Sequence, residues 1–470
     1  MKKRFKISIL ISLLVLIALI FSSCSLLSNG DGAITGGDEK YITSAYINSN
    51  GELILCYSNG TRDNLGVVVG SDGENGQDGQ DGKNGKDGKD GIDGQDGKDG
   101  INGQDGKDGA IISSSSGNSS LEYSIANCLQ SAVIIQSGFR TSNSSVESDS
   151  FSSGSGIIYS CNKTAGEAII VTNYHVVYEN RSQTINGISD DIKVYLYGSL
   201  SSDKAIEATY IGGSMNYDLA VLKISNSDII KDHEVSPVRV RSSDEVHVGE
   251  SSFAIGNPRG EGFSVTSGII SVDSENVEIP ASDGSGAITM RLLRTDTPVN
   301  SGNSGGGLFD ANGYLIGIVN AKIKDLGVEG FGYAIPSSTM EAVVENILYY
   351  CLDTNLETLK RPLLGVTVQV TNPYTQYNSE TGYVDLYESS TVVEVSPTAL
   401  AYNKIFVGDI IKEVSISGSC EMSVEVTRQY KLLDALLNAR IGDTVQVTVE
   451  RNGNLITEEF IITPTCISNS

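Results

Sequence analysis

The stretch Pro298-Val299-Asn300-Ser301-Gly302-Asn303-Ser304-Gly305-Gly306 sets Ser304 among three glycines. Glycine carries no Cβ, so such a run can bend tightly and reach backbone conformations closed to other residues. A bend of this kind points the amides of Gly302 and Ser304 at one spot. Two converging N–H donors form an oxyanion hole for a tetrahedral intermediate, and loss of one donor costs ~10²–10³ in rate. Alone, the same run reads equally well as a flexible loop.

Serine is a weak nucleophile at neutral pH and needs a base, which in turn needs a carboxylate to fix its tautomer. The chain holds three histidines, His175, His233 and His247. His175 ends the apolar run Ala168-Ile169-Ile170-Val171-Thr172-Asn173-Tyr174, where a barrel strand meets a loop. His233 and His247 lie in polar, loop-like sequence and read as surface residues. Asp218 precedes the alternating run Leu219-Ala220-Val221-Leu222-Lys223-Ile224; in isolation it reads as a turn residue. The order His175…Asp218…Ser304 is the order used on one class of double-barrel hydrolase.

Composition narrows the classes. A chain of 470 residues has room for two or three domains, and 39% hydrophobic residues supply cores. A net charge of −25 argues against nucleic-acid binding, which needs clustered Lys and Arg. Lys2, Lys3, Arg4 and Lys6 precede an apolar run over residues 7–21, short for a membrane span and suited to a signal peptide over 1–23. Phe21-Ser22-Ser23-Cys24 resembles a bacterial lipoprotein signal, which implies lipid attachment at Cys24 and a membrane-anchored, extracytoplasmic chain. A plain cleaved signal and an uncleaved anchor helix remain alternatives. Cys56, Cys128, Cys161, Cys351, Cys420 and Cys466 show no paired spacing and read mostly as small buried hydrophobes. Neither a metal site nor a cofactor is expected.

Residues 24–40 read as a tether. Residues 41–70 read as a small β unit, with runs at 41–47, 52–57 and 67–69 and hairpin signals at Asn50-Gly51 and Asn59-Gly60. Glycine then recurs every third residue through twelve triplets within 73–109. That spacing is the signature of a collagen triple helix, where only glycine fits the axis. The first proline of the chain is Pro237, so Lys, Gln, Asp and Asn fill the places of imino acids. The segment resembles bacterial collagen-like stalks; a flexible spacer is the alternative. Extended, it would reach on the order of 110 Å at ~3.1 Å per residue. Residues 120–350 show short β runs with Gly and Asn turns, closed by a helix over 341–352. Residues 360–466 read as a smaller β-rich unit with a helix over 428–439.

Five blocks carry a resemblance. They are Thr172-Asn173-Tyr174-His175-Val176-Val177, Asp218-Leu219-Ala220-Val221-Leu222, Ala254-Ile255-Gly256-Asn257-Pro258, the run from Thr295 to Gly306, and Phe331-Gly332-Tyr333-Ala334-Ile335-Pro336. In this order they resemble the HtrA/Deg family of ATP-independent, extracytoplasmic serine endopeptidases. The resemblance implies a mostly β protein, with a trypsin-like double barrel followed by a PDZ domain. It implies His175 as base, Asp218 as its orienter and Ser304 as nucleophile, with Gly302, Asn303 and Ser304 around the oxyanion hole. It implies a substrate pocket lined by Val299, Gly317, Ile318, Val319 and Lys322, the last standing where an apolar residue is common. Arg361-Pro362-Leu363-Leu364-Gly365-Val366 resembles the PDZ carboxylate loop and first strand, which assigns peptide binding to Leu363, Leu364, Gly365 and Val366. Residues 371–388 read as an insertion in that domain.

The resemblance further implies unfolded proteins as substrates, C-terminal peptides as PDZ ligands and a homotrimer, whose symmetry a triple-helical stalk would share. Glycine-rich loops at Gly256, Gly260–Gly262 and 325–330 are candidate hinges for active-site gating. The rival reading is a surface adhesion or scaffold protein with an idle protease domain.

Overall fold

A computed structural model describes residues 42–47, 52–57, 62–67, 121–143, 146–199, 201, 204–322, 330–352, 354, 356–379 and 381–469. The signal segment with Cys24, the tether, the glycine repeat and most of the 325–330 hinge lie outside the described residues. The chain divides into two compact units, Met1–Gly106 and Lys107–Ser470.

The first unit contains a three-stranded antiparallel sheet, β1 (Ile42–Ile47), β2 (Glu52–Tyr57) and β3 (Arg62–Val67). The third strand starts earlier than the Val67-Val68-Val69 run expected from hydrophobicity. It pairs with β2 through Cys56 and Arg62, and it is a polar strand with Arg62, Asp63 and Asn64 exposed. Ile54 is buried.

The second unit opens with α1 (Leu121–Leu129), a helix not anticipated in the sequence. Its apolar side, Ile125, Cys128 and Leu129, packs on the main core. Two closed barrels of six strands follow. The first contains β4 (Ala132–Asn143), β5 (Val146–Asn162), β6 (Glu167–Thr172), β7 (Asp191–Leu196), β8 (Ile206–Ser214) and β9 (Leu219–Ile224). The second contains β10 (Ser251–Gly256), β11 (Ser264–Pro280), β12 (Ala287–Thr295), β13 (Gly307–Asp310), β14 (Leu315–Val319) and β15 (Gly332–Pro336). All ladders are antiparallel. This is the trypsin-like double barrel that the resemblance implies. Barrel closure leaves no free sheet edge.

One core runs through both barrels. Ile157, Val171, Leu219 and Val221 of the first cluster with Phe253, Phe309, Leu315 and Ile318 of the second. A long helix beyond β15 (Ser337–Cys351) adds Met340, Val343, Val344 and Ile347 to the same cluster. The barrels therefore fold onto a shared interior, and that packing fixes how they meet.

The C-terminal part has its own core, including Val392, Ile411, Val414, Leu432, Val445 and Phe460. Its sheet runs β17 (Val366–Tyr377), β18 (Val384–Val395), β19 (Ile410–Ser417), β21 (Thr444–Arg451) and β22 (Asn454–Ile461), with β20 (Met422–Glu425) beside β19. A helix (Gln429–Leu437) covers it, and β16 (Lys360–Pro362) pairs with β23 (Ile467–Asn469). Residues 371–388 extend the β17–β18 hairpin, where pairing continues to Tyr377 and Val384 and Tyr374 stacks on Tyr387.

Ion pairs join this domain to the second barrel. Arg291 bonds Asp434 at 2.7 Å, and Arg428 reaches Asp273 at 3.2 Å. His247 and His233 are half-buried rather than surface residues. The imidazole of His247 stacks on Tyr383 of the hairpin at 3.8 Å, between Glu250 and Asp385. His233 bonds Ser199 at 2.8 Å. An aromatic ring gains packing energy wherever an apolar partner is brought to it, and polar local sequence does not prevent this.

Among the described residues no helix is long and apolar enough to cross a membrane, and no group of His, Cys, Asp and Glu could hold a metal ion. None of Cys128, Cys161, Cys351, Cys420 and Cys466 is in a disulfide, and burial pushes the Cys128 thiol up to about 12 and that of Cys351 to about 11.

Candidate active site

Strand β6 ends at Thr172, and a single helical turn, α2 (Tyr174–Val177), carries His175. Asp218 ends the β8–β9 connection and adopts φ +48°, a left-handed conformation that costs a non-glycine residue energy. Its backbone is held there from several sides. The N–H of Tyr174 donates to Asp218 C=O at 3.1 Å and Asn173 Nδ2 donates to the same oxygen at 2.9 Å.

The Asp218 side chain is buried and faces donors. His175 N–H donates to Oδ1 at 3.0 Å. Oδ2 lies 2.7 Å from His175 Nδ1 and 2.9 Å from Asn320 Nδ2. A carboxylate only accepts, so this contact places a proton on Nδ1 and leaves Nε2 of the neutral ring as the acceptor. Tyr174, stacked on Tyr178 at 5.2 Å, is pushed up to about 12 by burial and stays neutral.

The serine run forms two consecutive turns between β12 and β13. Gly302 has φ +97° and Gly305 φ +85°, so both use conformations that favour glycine. Asn303 N–H closes the first turn on Asn300 C=O at 2.9 Å. That amide is spent inside the turn, which corrects the expectation that Asn303 lends a donor to the oxyanion hole. The N–H groups of Gly302 and Ser304 donate to no protein acceptor among the described residues.

Ser304 is buried, and its Oγ accepts the N–H of Ala321 at 3.1 Å. No hydrogen bond joins it to His175 Nε2 among the described residues. Asn320 and Ala321 are consecutive at the end of β14. One bonds Asp218 and the other Ser304, so a single strand end ties the two together. Asn320 is a site residue that sequence reasoning missed. Its only local signal is a polar side chain at the end of a fully buried strand.

The expected pocket residues separate by strand alternation, since successive side chains point to opposite faces. Val299 and Val319 pack together with Ala321 and Ala334 in one buried cluster. Ile318 points the other way into the shared core, so it does not line the pocket. Gly317 lies against Ala334 and Ile335. Gly332 touches Val299 so closely that a Cβ there would lie 2.6 Å from its Cγ2. Lys322 turns its ammonium out of the pocket to Pro280 C=O at 2.9 Å and Ser282 Oγ at 3.0 Å, at the tip of the β11–β12 hairpin. Its charge therefore does not face an incoming side chain. Gly256, a candidate hinge, is packed 2.8 Å from Asn303 Oδ1 when a Cβ is built on it, and so is closely held.

Comparison with known proteins identifies the family. The family described as Trypsin-like peptidase domain matches residues 154–318, and Collagen triple helix repeat matches residues 60–114. The chain is 33% identical over 321 residues to Serine protease Do-like HtrA of Lactococcus lactis subsp. cremoris (strain MG1363), covering 65% of this chain and 69% of the relative. The chain belongs to the HtrA/Do-like serine protease family. Serine protease Do-like HtrA of Bacillus subtilis (strain 168) is likewise 33% identical, over 334 residues, covering 69% of this chain and 66% of that one. A solved structure, HtrA-type protease AlgW with decapeptide, superposes with a TM-score of 0.48 at 23% identity, covering 75% of this chain and 99% of that one. As an HtrA/Do-like protein the chain is a serine endopeptidase, and the idle-scaffold reading is not favoured.

Proposed function

We propose that Ser304 is the nucleophile, His175 the general base and then acid, and Asp218 the carboxylate that orients it. The observation that carries this reading is the strand end at Asn320 and Ala321, which bonds both Asp218 and Ser304. On substrate entry Ser304 Oγ leaves the Ala321 N–H and gives its proton to His175 Nε2. It attacks the scissile carbonyl carbon, and the oxyanion is received by the Gly302 and Ser304 amides. The imidazolium returns the proton to the leaving amine, and water releases the acyl group by the same steps. Ser304→Ala should abolish cleavage of casein by the mature protein; unchanged cleavage overturns the assignment.

The substrates are unfolded or misfolded extracytoplasmic proteins, and the chain works from a lipid anchor at Cys24. The pocket formed by Val299, Val319 and Gly332 suits small or medium apolar side chains before the cleaved bond. The C-terminal domain is read as a PDZ domain. β17 is the terminal strand of its sheet and faces the 429–437 helix, the arrangement that accepts an added peptide strand. Leu363 N–H is already donated to Cys466 C=O at 2.8 Å, and Leu364 is buried in the domain core, so the amides of Leu364 and Gly365 remain for a peptide carboxylate. Val366 begins the receiving strand. The groove opens into a cavity of about 730 Å³ whose wall includes Tyr217, next to Asp218. The homotrimer and a triple-helical stalk over the glycine repeat complete the proposal. Light scattering that gives a monomer overturns the trimer, and circular dichroism without a triple-helix melt overturns the stalk.

A further inference from the structure

Ser155 belongs to β5 of the first barrel, where it pairs with Ile134 of β4, yet it also reaches the nucleophile turn of the second. It is 1% exposed. Its backbone N–H donates to Ser304 C=O at 2.8 Å. Its hydroxyl lies 2.8 Å from Gly302 C=O and 2.8 Å from the N–H of Asn257, just beyond β10. Its own C=O accepts the hydroxyl of Thr172 at 2.7 Å.

The partners leave the hydroxyl no choice of direction. A carbonyl only accepts and an amide N–H only donates, so Ser155 Oγ–H points at Gly302 and its lone pair takes Asn257. The same residue thus grips the carbonyls of Gly302 and Ser304. Neither residue's own N–H donates to a protein acceptor among the described residues. Each gripped carbonyl shares its rigid peptide plane with the next residue's N–H, so the two contacts fix ψ of Gly302 and of Ser304 and restrain those residues' own amides through their Cα atoms. Gly302 has the most to lose without that grip, because glycine rotates freely. The flanking glycines are required by the closeness of the contact. A Cβ on Gly305 would lie 2.1 Å from Ser155 C=O, and one on Gly154 3.2 Å from Ser304 C=O.

We propose that Ser155 is the positioning residue of the oxyanion hole: from the opposite barrel it holds Gly302 and Ser304 so that their amides converge. This rests on the reading of Ser304 as the nucleophile. Ser155 touches neither substrate nor the reacting atoms, so its removal should weaken transition-state binding and leave ground-state binding intact. A lost oxyanion donor costs ~10²–10³, and a misdirected one part of that.

The test uses the full mature protein as wild type, Ser155→Ala, Ser155→Cys and Ser304→Ala. A chromogenic peptide gives kcat and KM. A peptide boronate, which becomes tetrahedral on the serine, gives Ki. Binding of the uncleaved peptide is measured with Ser304→Ala and with Ser304→Ala/Ser155→Ala. For Ser155→Ala we expect kcat to fall and the boronate Ki to rise together, each by about 10–100-fold. Peptide Kd should stay within about twofold. Ser155→Cys, with a longer and weaker donor, should fall between the two, and it decides the matter if Ser155→Ala does not fold. The proposal is overturned if kcat and boronate Ki stay at wild-type values, or if peptide Kd weakens in step with them. Failure of the underlying reading looks different: Ser304→Ala then cleaves like the wild type, or the boronate does not bind the wild type.

Discussion

The two barrels contribute to the site in different ways. The first presents His175 and Asp218 as a closed unit, with every oxygen of Asp218 occupied. The second presents Ser304 on a turn where its hydroxyl has one protein partner and the Gly302 and Ser304 amides have none among the described residues. Yet neither half is complete by itself. Asn320 crosses from the second barrel to Asp218, and Ser155 crosses from the first to the serine turn. Under the proposed assignment the acid–base pair is set mainly by its own loop, whereas the nucleophile is set by docking of one barrel on the other.

The largest break in that comparison comes from Asp218→Asn. The amide would keep the shape of the side chain but present a donor where Nδ1–H must be accepted, favouring the wrong tautomer. We expect kcat/KM to fall by about 10³–10⁴, with Tm little changed. A loss below about tenfold would remove Asp218 from the assignment. Next is Gly305→Ala on the serine turn. The new Cβ meets Ser155 C=O and Thr172 Oγ1 at 2.1 and 2.3 Å, at φ +85°. The turn must move, and activity should drop by at least about 10². Normal boronate binding by this variant would show that the turn tolerates displacement.

A smaller effect is expected at Asn320. Ala removes one donor to Asp218 Oδ2 while His175 Nδ1 keeps its contact at 2.7 Å. A fall of about tenfold in kcat with unchanged KM would place Asn320 with the acid–base half. A change in KM alone would assign it to substrate contact instead.

Much of this site is legible in the amino-acid sequence. The β character of the barrels follows from short apolar runs broken by glycine and asparagine turns, and His175, Asp218 and Ser304 stand in order in the sequence. The cross-barrel contacts are not legible there. Asn320 and Asp218 are separated by 102 residues, and Ser155 and Gly302 by 147. Local periodicity records which face a side chain takes, not which distant loop meets it. The same gap explains Lys322, whose long stem lets the charge leave the pocket, and His247, whose partner Tyr383 lies in another domain. The Asn303 amide departs from expectation for a different reason: a tight turn consumes one amide to close itself, and sequence alone does not say which.

The smallest prediction separates holding the barrels together from aligning the site. On the helix Ser337–Cys351, Glu341 and Glu345 stand one turn apart, and the hydroxyl of Tyr159 in the first barrel donates to Glu345 at 2.7 Å. Burial, with the neighbouring Glu345 charge, raises Glu341 from 4.5 to about 7. The folded protein therefore holds this proton at pH values where the unfolded chain has lost it. Stability should fall as pH rises between those two values, and the full cost of the buried charge is present above pH 7. Glu341→Gln should raise Tm at pH 8 by about 2–4 °C, corresponding to about 1–2 kcal/mol after partial solvent screening, and have little effect at pH 4. Its kcat should equal that of the wild type, because the joint carries no contact to Asp218 or Ser304. A Tm gain of the same size at both pH values would mean that the glutamine packs better rather than that a charge was removed. A change in kcat would mean that the helix transmits strain to the serine turn, and the two barrels would then be less separable than their contacts imply.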